Sequence, residues 1–180
     1  MDLHNENGEV GLPTLRTERL TLRPPCARDA WVVADALNNY NVSRWLSVVP
    51  FPYTIEDANW FIAECNKGNF TAWYIWAEDC FVGTIGLDDG LGYWLAEDAW
   101  GQGYATEAAR AVIEYHFTAG EATDQETCYF LGNESSRKVL EKVGFLPTEV
   151  ARQSCVAQGK NVDAQQMVLT RERWAALRDD

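Results

Sequence analysis

The chain has 180 residues, of which 47% are hydrophobic and 23% charged, a composition that favours one folded domain and excludes wholesale disorder. Its net charge of −12 argues against a nucleic-acid partner, because such surfaces bind through basic patches. The N-terminal MDLHNENGEVGL lacks the basic and apolar segments of a signal peptide, and no apolar run approaches the roughly 18 residues of a membrane span. We therefore expect a cytoplasmic protein with no membrane or nucleic-acid partner.

Metal-ligating residues are scarce and scattered. The chain has five cysteines, an odd number with no CxxC pair, and two histidines with no HExxH pattern. Such cysteines are typical of reduced thiols in a cytosolic protein. We expect neither a metal site nor disulfides.

The first half of the chain combines short strands with helices. Residues 1–13 are polar and expected to be flexible. A strand within 18–25 is stopped by Pro24 and Pro25, and helical spacing follows at 29–39 and 52–69, where Thr54 and Asp57 suggest a capping box. Aromatic and β-branched runs at 71–79, 80–87 and 91–98 predict three strands, the last two antiparallel across a turn at 88–90.

The second half predicts a helix at 104–117, a strand at 126–132, a helix at 133–144 and two strands within 150–170. A strand–helix–strand crossover makes the strands at 91–97 and 126–132 parallel neighbours. The predicted class is α+β. We expect a single domain over 14–180, with a mixed, mostly antiparallel sheet flanked by helices and one parallel strand pair.

The stretch AWGQGYATEAAR at 99–110 places two glycines, Gly101 and Gly103, immediately before a helix. The first amides of a helix have no internal partner and lie at the positive end of its dipole, where phosphate fits well. A tight turn is the alternative explanation of the glycines. Other phosphate loops do not match, since there is no GxxxxGK[ST] and Thr106 stands where a dinucleotide fingerprint needs glycine.

Two longer stretches, GYWLAEDAWGQGYATEAARAVIEYHF and NESSRKVLEKVGF, resemble the GCN5-related N-acetyltransferase (GNAT) superfamily. They are most similar to its ribosomal-protein N-terminal (RimJ/RimL-like) branch. LRTERLTLRP at 15–24 and TRERW at 170–174 resemble the ends of that branch. The resemblance implies the GNAT fold, acetyl-CoA as cosubstrate without a metal, and an amine-bearing acceptor, either a peptide N-terminus or a small molecule. It also leaves a homodimer open.

The resemblance carries roles onto individual residues. It implies that the loop at 100–105 wraps the pyrophosphate and that the strand at 94–96 bonds the pantetheine arm where the two parallel strands splay apart. It also implies that Asn133 contacts that arm and that Ser136 gives a proton to the CoA thiolate, so that the two are the predicted catalytic residues. Trp100 stands where the superfamily usually has Arg or Gln. The implied cofactor-binding residues are Trp94, Leu95, Ala96, Gly101, Gln102, Gly103, Tyr104, Ala105, Thr106, Asn133 and Arg137. From spacing alone, Asn133 could be only a helix cap, and Ser136 and Arg137 only solvated residues.

The transfer chemistry needs a neutral amine. At pH 7 a lysine amine costs roughly 4–5 kcal/mol to deprotonate and an α-amine only about 1 kcal/mol, so an N-terminal acceptor needs little help from a base. No base is assigned, because Asp88 and Asp89 fit a turn, and Glu97 and Asp98 are expected to face solvent. No cysteine has an activating neighbour in sequence, which favours direct attack in a ternary complex.

The acceptor side is expected among the aromatic residues. We predict Trp45, Tyr53 and Tyr93 as substrate-binding residues, the first two because they flank the loop SVVPFPYT between helices. Two alternatives remain at this point: a non-catalytic acyl-CoA-binding module, and an acetyltransferase for small-molecule amines.

Overall fold

The computed structural model describes residues 11–88, 90–119 and 123–179. Fourteen helices and strands are described in these ranges. In chain order they are β1 (Leu15–Arg16), β2 (Leu20–Arg23), α1 (Ala30–Leu37), α2 (Tyr40–Ser43), α3 (Ile55–Asn66), β3 (Ala72–Ala77), β4 (Cys80–Gly86), β5 (Gly92–Leu95), α4 (Tyr104–Thr118), β6 (Gln125–Phe130), α5 (Glu134–Val143), β7 (Leu146–Cys155), β8 (Lys160–Leu169) and α6 (Arg171–Asp179). The predicted α+β class is confirmed.

Strands β1 to β5 form one antiparallel sheet in sequence order, covered by helices on both faces. Successive side chains of β3 point to opposite faces of the sheet, and apolar residues at consecutive positions therefore contribute to a core on each face. Trp73 and Ile75 pack into the same core as Val112 of α4, whereas Tyr74 packs on the opposite face with the buried residues of α1 and α3. The sheet is therefore the central layer of a sandwich.

The remaining strands form a separate antiparallel sheet in the order β6-β8-β7, and this corrects the predicted parallel strand pair. Strands β5 and β6 meet only where they begin: Leu91 N–H donates to Glu126 O at 3.1 Å, and Thr127 Oγ1 donates to Leu91 O at 2.6 Å. No ladder joins them among the described residues. A Cβ on Gly90, which has φ +118, would lie 2.0 Å from Glu126 O, so glycine permits this approach. Beyond it the strands separate.

Local signals account for most helix ends. The capping box is confirmed, with Thr54 and Asp57 bonding reciprocally at the start of α3. The helix expected over 29–39 ends at Leu37, and the short α2 begins after Asn39, whose side chain accepts from Asn41 N–H. The C-terminal α6 was not predicted, and its Trp174 stacks on Phe117 of α4 with ring centroids 4.9 Å apart.

The predicted flexible segment 1–13 falls mainly on residues 1–10, which lie outside the described residues, as does Asp89 of the predicted turn at 88–90. Leu12 packs against the core, and Pro13 O accepts a hydrogen bond from Trp73 Nε1 at 2.7 Å. The start of the domain at residue 14 stays a prediction.

Candidate active site

The separation of β5 from β6 leaves unpaired main-chain groups along one edge of β5. Ala96 N–H donates to Val82 O at 2.9 Å, which fixes the alternation of the β4–β5 ladder. The backbone groups of Trp94 and Ala96 point to β4, and those of Tyr93 and Leu95 point to the open side. That the strand at 94–96 binds the pantetheine arm stays a prediction. Of its three residues, only Leu95 has its main-chain N–H on the open side.

The loop that follows β5 folds back on this edge and then turns sharply. Trp100 Nε1 donates to Leu95 O at 3.0 Å, so the indole fastens the loop to the end of the strand. Gly101 and Gly103 have φ +75 and +82, a region that favours glycine. A Cβ built on Gly101 would meet no atom within 4 Å, so the outer side of the turn is open. The positive φ values confirm the turn explanation, and the open space at Gly101 leaves the approach of a ligand as a prediction.

Helix α4 begins at this turn with unpaired amides. Gly103 is its N-cap and provides no side-chain cap, and Glu107 N–H donates to Gly103 O at 3.2 Å. Within the described ranges, no acceptor is found for the amides of Tyr104, Ala105 and Thr106. These amides and the helix dipole together favour a bound anion. The region therefore fits a pyrophosphate.

Sequence reasoning missed a cation beside this loop. Arg19, at the start of β2, donates from Nη1 to Gln102 O at 2.9 Å and from Nε to Glu107 Oε2 at 2.8 Å. Thr17 Oγ1 also donates to Glu107, at 2.6 Å. Partial burial acts to raise the pKa of the Glu107 carboxyl, but the bonds from Thr17 and Arg19 outweigh it and hold that pKa below its ordinary value. Arg19 and Gln102 are 83 residues apart, and no local pattern signals their contact.

Two hydroxyl groups meet at the other end of the open edge. Tyr93 OH and Ser136 Oγ are 2.9 Å apart, and Ser136 N–H donates to the side chain of Asn133, the N-cap of α5, at 3.2 Å. Burial raises the pKa of Tyr93 to about 12, although its bond with Ser136 opposes that shift. The pair therefore stays protonated at neutral pH and can donate a proton.

Comparison with known proteins decides the family. The family model described as an acetyltransferase (GNAT) domain matches residues 19–146. This chain belongs to the GNAT family. It is 28% identical over 178 residues to the uncharacterized N-acetyltransferase p20 of Bacillus licheniformis, covering 91% of this chain and 99% of that protein.

Solved GNAT structures share the fold. RimL, a ribosomal L7/L12 alpha-N-protein acetyltransferase in complex with coenzyme A, superposes with a TM-score of 0.75 at 16% identity, covering 88% of this chain and 98% of that one. The microcin C7 self-immunity acetyltransferase MccE, in complex with acetyl-CoA and AMP, gives 0.74 at 18% identity, with 90% and 99% covered. The predicted resemblance to GNAT proteins is confirmed.

The side chain of Arg137, which was expected at the CoA phosphates, forms ion pairs with two glutamates of its own helix. Its Nε donates to Glu134 and its Nη1 to Glu141, both at 2.8 Å, on the exposed side of α5. These two carboxylates raise the pKa of the guanidinium. Its charge is thus already balanced by two carboxylates, and its contact with a CoA phosphate stays a prediction.

The predicted acceptor residues do not lie together. Trp45 packs with Phe130, Cys155 and Ala164, beside Gly132. Tyr53 is 8% exposed within the core under α1 and α3, where burial raises its pKa above the usual range. Tyr93, by contrast, bonds Ser136. That these residues bind the acceptor stays a prediction.

The loop that carries Trp45 is held by the β7–β8 hairpin. Val156 N–H donates to Ser47 O at 3.0 Å, and Gln158 Nε2 donates to Arg44 O at 2.8 Å. Cys155 Sγ–H also points to Arg44 O, at 3.4 Å. The end of the chain therefore fixes a loop from its first third.

Glu97 was expected to face solvent. It is exposed, and its side chain also accepts two hydrogen bonds. Its carboxylate accepts hydrogen bonds from Asn39 Nδ2 at 2.5 Å and from Asn41 Nδ2 at 3.0 Å. Glu97 lies in a short turn between β5 and Trp100, so it joins α2 to the loop at the helix start.

Neither a metal-binding cluster nor a membrane-spanning helix occurs among the described residues. In the part of the chain that the structure describes, no three His, Cys, Asp or Glu side chains are grouped to hold a metal ion. No described helix has the length and apolar character needed to cross a membrane.

Proposed function

We propose that this GNAT protein transfers the acetyl group of acetyl-CoA to an amine, by direct attack of the amine in a ternary complex. One observation carries the proposal: the open edge of β5 at Tyr93 and Leu95 runs from the Tyr93–Ser136 hydroxyl pair to the unpaired amides at the start of α4. An extended arm ending in a pyrophosphate fits such a line. CoA-bound RimL and acetyl-CoA-bound MccE, which share the fold, support this choice of cosubstrate.

The residues divide the binding of the cosubstrate between them. The Tyr93 backbone and the Leu95 N–H would hold the pantetheine arm in the manner of a further strand, since Leu95 O already accepts from Trp100 Nε1. Gly101, Gly103 and the amides of the first turn of α4 would hold the pyrophosphate. Bound acetyl-CoA supplies an acetyl group as a thioester, and the residues of the chain orient it and exclude water around it.

The hydroxyl pair would handle the proton. Ser136 Oγ would give its proton to the sulfur as the C–S bond breaks, and Tyr93 OH, at 2.9 Å, would replace that proton. The amine nitrogen forms the new C–N bond and releases one proton to solvent, and solvent returns one proton to Tyr93, so the amine and the thioester yield the amide and the CoA thiol with both hydroxyl groups restored. This role is compatible with the helix cap, in which the Ser136 N–H donates to the Asn133 side chain.

A covalent cysteine route is disfavoured. Burial raises the pKa of Cys65 to about 12, helped by the charge of Asp88. Burial also raises the pKa of the Cys128 thiol, against a bond from Gln153. Neither cysteine favours the thiolate that a covalent route needs.

For the acceptor we propose a protein N-terminal α-amine. It costs only about 1 kcal/mol to deprotonate at pH 7, so it needs no dedicated base. RimL is named as acting on the α-amine of a ribosomal protein, and its fold is shared. A small-molecule amine is the second candidate, because MccE, which shares the fold equally well, is a self-immunity enzyme bound to AMP.

Thiol release from acetyl-CoA tests the proposal. The acceptors would be a peptide with a free α-amine, the same peptide blocked at that amine but carrying a lysine, and a polyamine. Release with the first peptide alone supports the proposed acceptor, and release with the polyamine alone supports the small-molecule enzyme. Acetyl-CoA binding without release with any of them would leave a non-catalytic acyl-CoA-binding module.

A further inference from the structure

The first turn of α4 contains a carboxylate where the proposed function needs an anion to bind. Glu107 is the acidic residue of that turn. A carboxylate there stabilises the helix dipole but repels a pyrophosphate at the same helix end. An uncompensated Glu107 would therefore oppose the binding of CoA.

Arg19 compensates this charge. Its Nη2 lies 2.7 Å from Glu107 Oε2, and its backbone N–H donates to Glu107 Oε1 at 2.9 Å. The side chain of Glu107 is 18% exposed, whereas that of Arg19 is 46% exposed, so the cation is on the solvent side of the pair. An arriving anion therefore meets the guanidinium before the carboxylate.

Arg19 also sets the orientation of the loop. The carbonyl of Gln102 lies between the two glycines and accepts from Arg19 Nη1 at 2.9 Å. Held in this way, the carbonyl dipole is turned toward the guanidinium. The same guanidinium lies 4.8 Å from the centre of the Tyr104 ring, and its Nη2 is 3.4 Å from the position of a Cβ on Gly103. It therefore borders the mouth of the loop itself.

We propose that Arg19 is the positioning residue of the pyrophosphate loop: it draws the Gln102 carbonyl back and cancels the charge of Glu107, so that the amides of α4 can accept the anion. The proposal rests on the proposed function. Trp100 stands at the loop position where basic or amide side chains are usual in the superfamily, and here its indole is bonded to Leu95 O. The start of β2 supplies the cation instead.

The test uses two acetyl donors and four variants: Arg19→Gln, Arg19→Lys, Glu107→Gln and the double variant Arg19→Gln/Glu107→Gln. Acetyl-CoA binding is measured by calorimetry, and KM and kcat are measured with acetyl-CoA and with S-acetyl-pantetheine, which has no pyrophosphate. Arg19→Gln is expected to weaken acetyl-CoA binding by about tenfold or more, the effect of losing a charge-assisted hydrogen bond. The double variant should recover part of this loss, and the KM for S-acetyl-pantetheine should stay unchanged.

Equal losses with both donors, or no recovery in the double variant, would show a purely structural role and overturn the proposal. If Arg19→Gln does not fold, Arg19→Lys, which keeps the charge but loses the paired geometry, gives the same comparison of donors. Acetyl-CoA binding to the wild-type protein distinguishes a failure of the proposed function from a failure of the inference about Arg19. If it binds no acetyl-CoA, the proposed function fails, whereas binding that is insensitive to Arg19 overturns this inference alone.

Discussion

The proposed cofactor side and the proposed acceptor side of the cleft are built from different kinds of groups. On the proposed cofactor side they are main-chain groups, those at the open edge of β5 and the amides at the start of α4. On the proposed acceptor side they are side chains, among them Trp45 in its loop. Main-chain geometry depends little on side-chain identity, whereas a side-chain surface changes with each residue, so we expect the acceptor to depend more on the particular sequence than the cosubstrate does.

The largest effect is expected where the two sides meet, at Ser136. Ser136→Ala removes the proposed proton donor and should lower kcat by about 100-fold, while acetyl-CoA binding stays nearly constant because Asn133 still caps α5 through the backbone amide. Ser135→Ala, at the exposed neighbouring position, is the matched control. Unchanged kcat in Ser136→Ala would remove Ser136 from the chemistry.

Features that depend on neighbouring residues could be predicted from the sequence, whereas contacts between distant residues could not. Strand and helix order, the capping box and the glycine turn followed from local patterns, because each depends on residues within one turn or one strand. The predicted neighbours β5 and β6 meet at Gly90 and Glu126 and then separate without a ladder, and it was the family resemblance, not a local pattern, that indicated this separation. Arg19 was missed because its contacts with Gln102 and Glu107 join distant parts of the chain.

The next largest effect tests whether Gly101 leaves room for the cofactor or only permits the turn. Gly101 and Gly159 have φ +75 and +63, and a Cβ on either would meet no atom within 4 Å. Alanine at either position should cost about 1–2 kcal/mol of stability through its left-handed backbone. Only Gly101→Ala should weaken acetyl-CoA binding, by about tenfold or 1.4 kcal/mol, because its methyl group enters the proposed approach. Equal Kd values in both variants would mean that Gly101 serves the turn alone.

A smaller effect is expected on the acceptor side. Trp45→Phe should raise the acceptor KM by about fivefold, within the range for the loss of part of a pocket wall, with the acetyl-CoA KM unchanged. Trp31→Phe on α1, where the indole is 74% exposed, is the control and should change neither constant. If Trp45→Phe raises the acetyl-CoA KM instead, Trp45 belongs to the cofactor side.

The last prediction lies outside the activity assays and concerns the pH dependence of stability. Because burial raises the pKa of folded Tyr93 from 10.0 to about 12, the folded protein holds this proton more tightly than the unfolded chain. The resulting stability is complete below pH 10 and is lost as the pH rises toward 12. Thermal unfolding should therefore show a falling Tm over this interval, with a smaller slope in Tyr93→Phe. An unchanged slope would show that Tyr93 titrates normally.

The central claim is that the open edge of β5 and the start of α4 bind an acyl-CoA. Thermal unfolding with acetyl-CoA, CoA, ATP and NAD, each tested in parallel, addresses it most directly. A ligand at 100 times its Kd adds about 2.7 kcal/mol to the stability of the folded state. We expect acetyl-CoA and CoA to raise Tm and ATP and NAD to leave it unchanged. A Tm that no CoA species shifts, or that ATP or NAD raises equally, would contradict the claim.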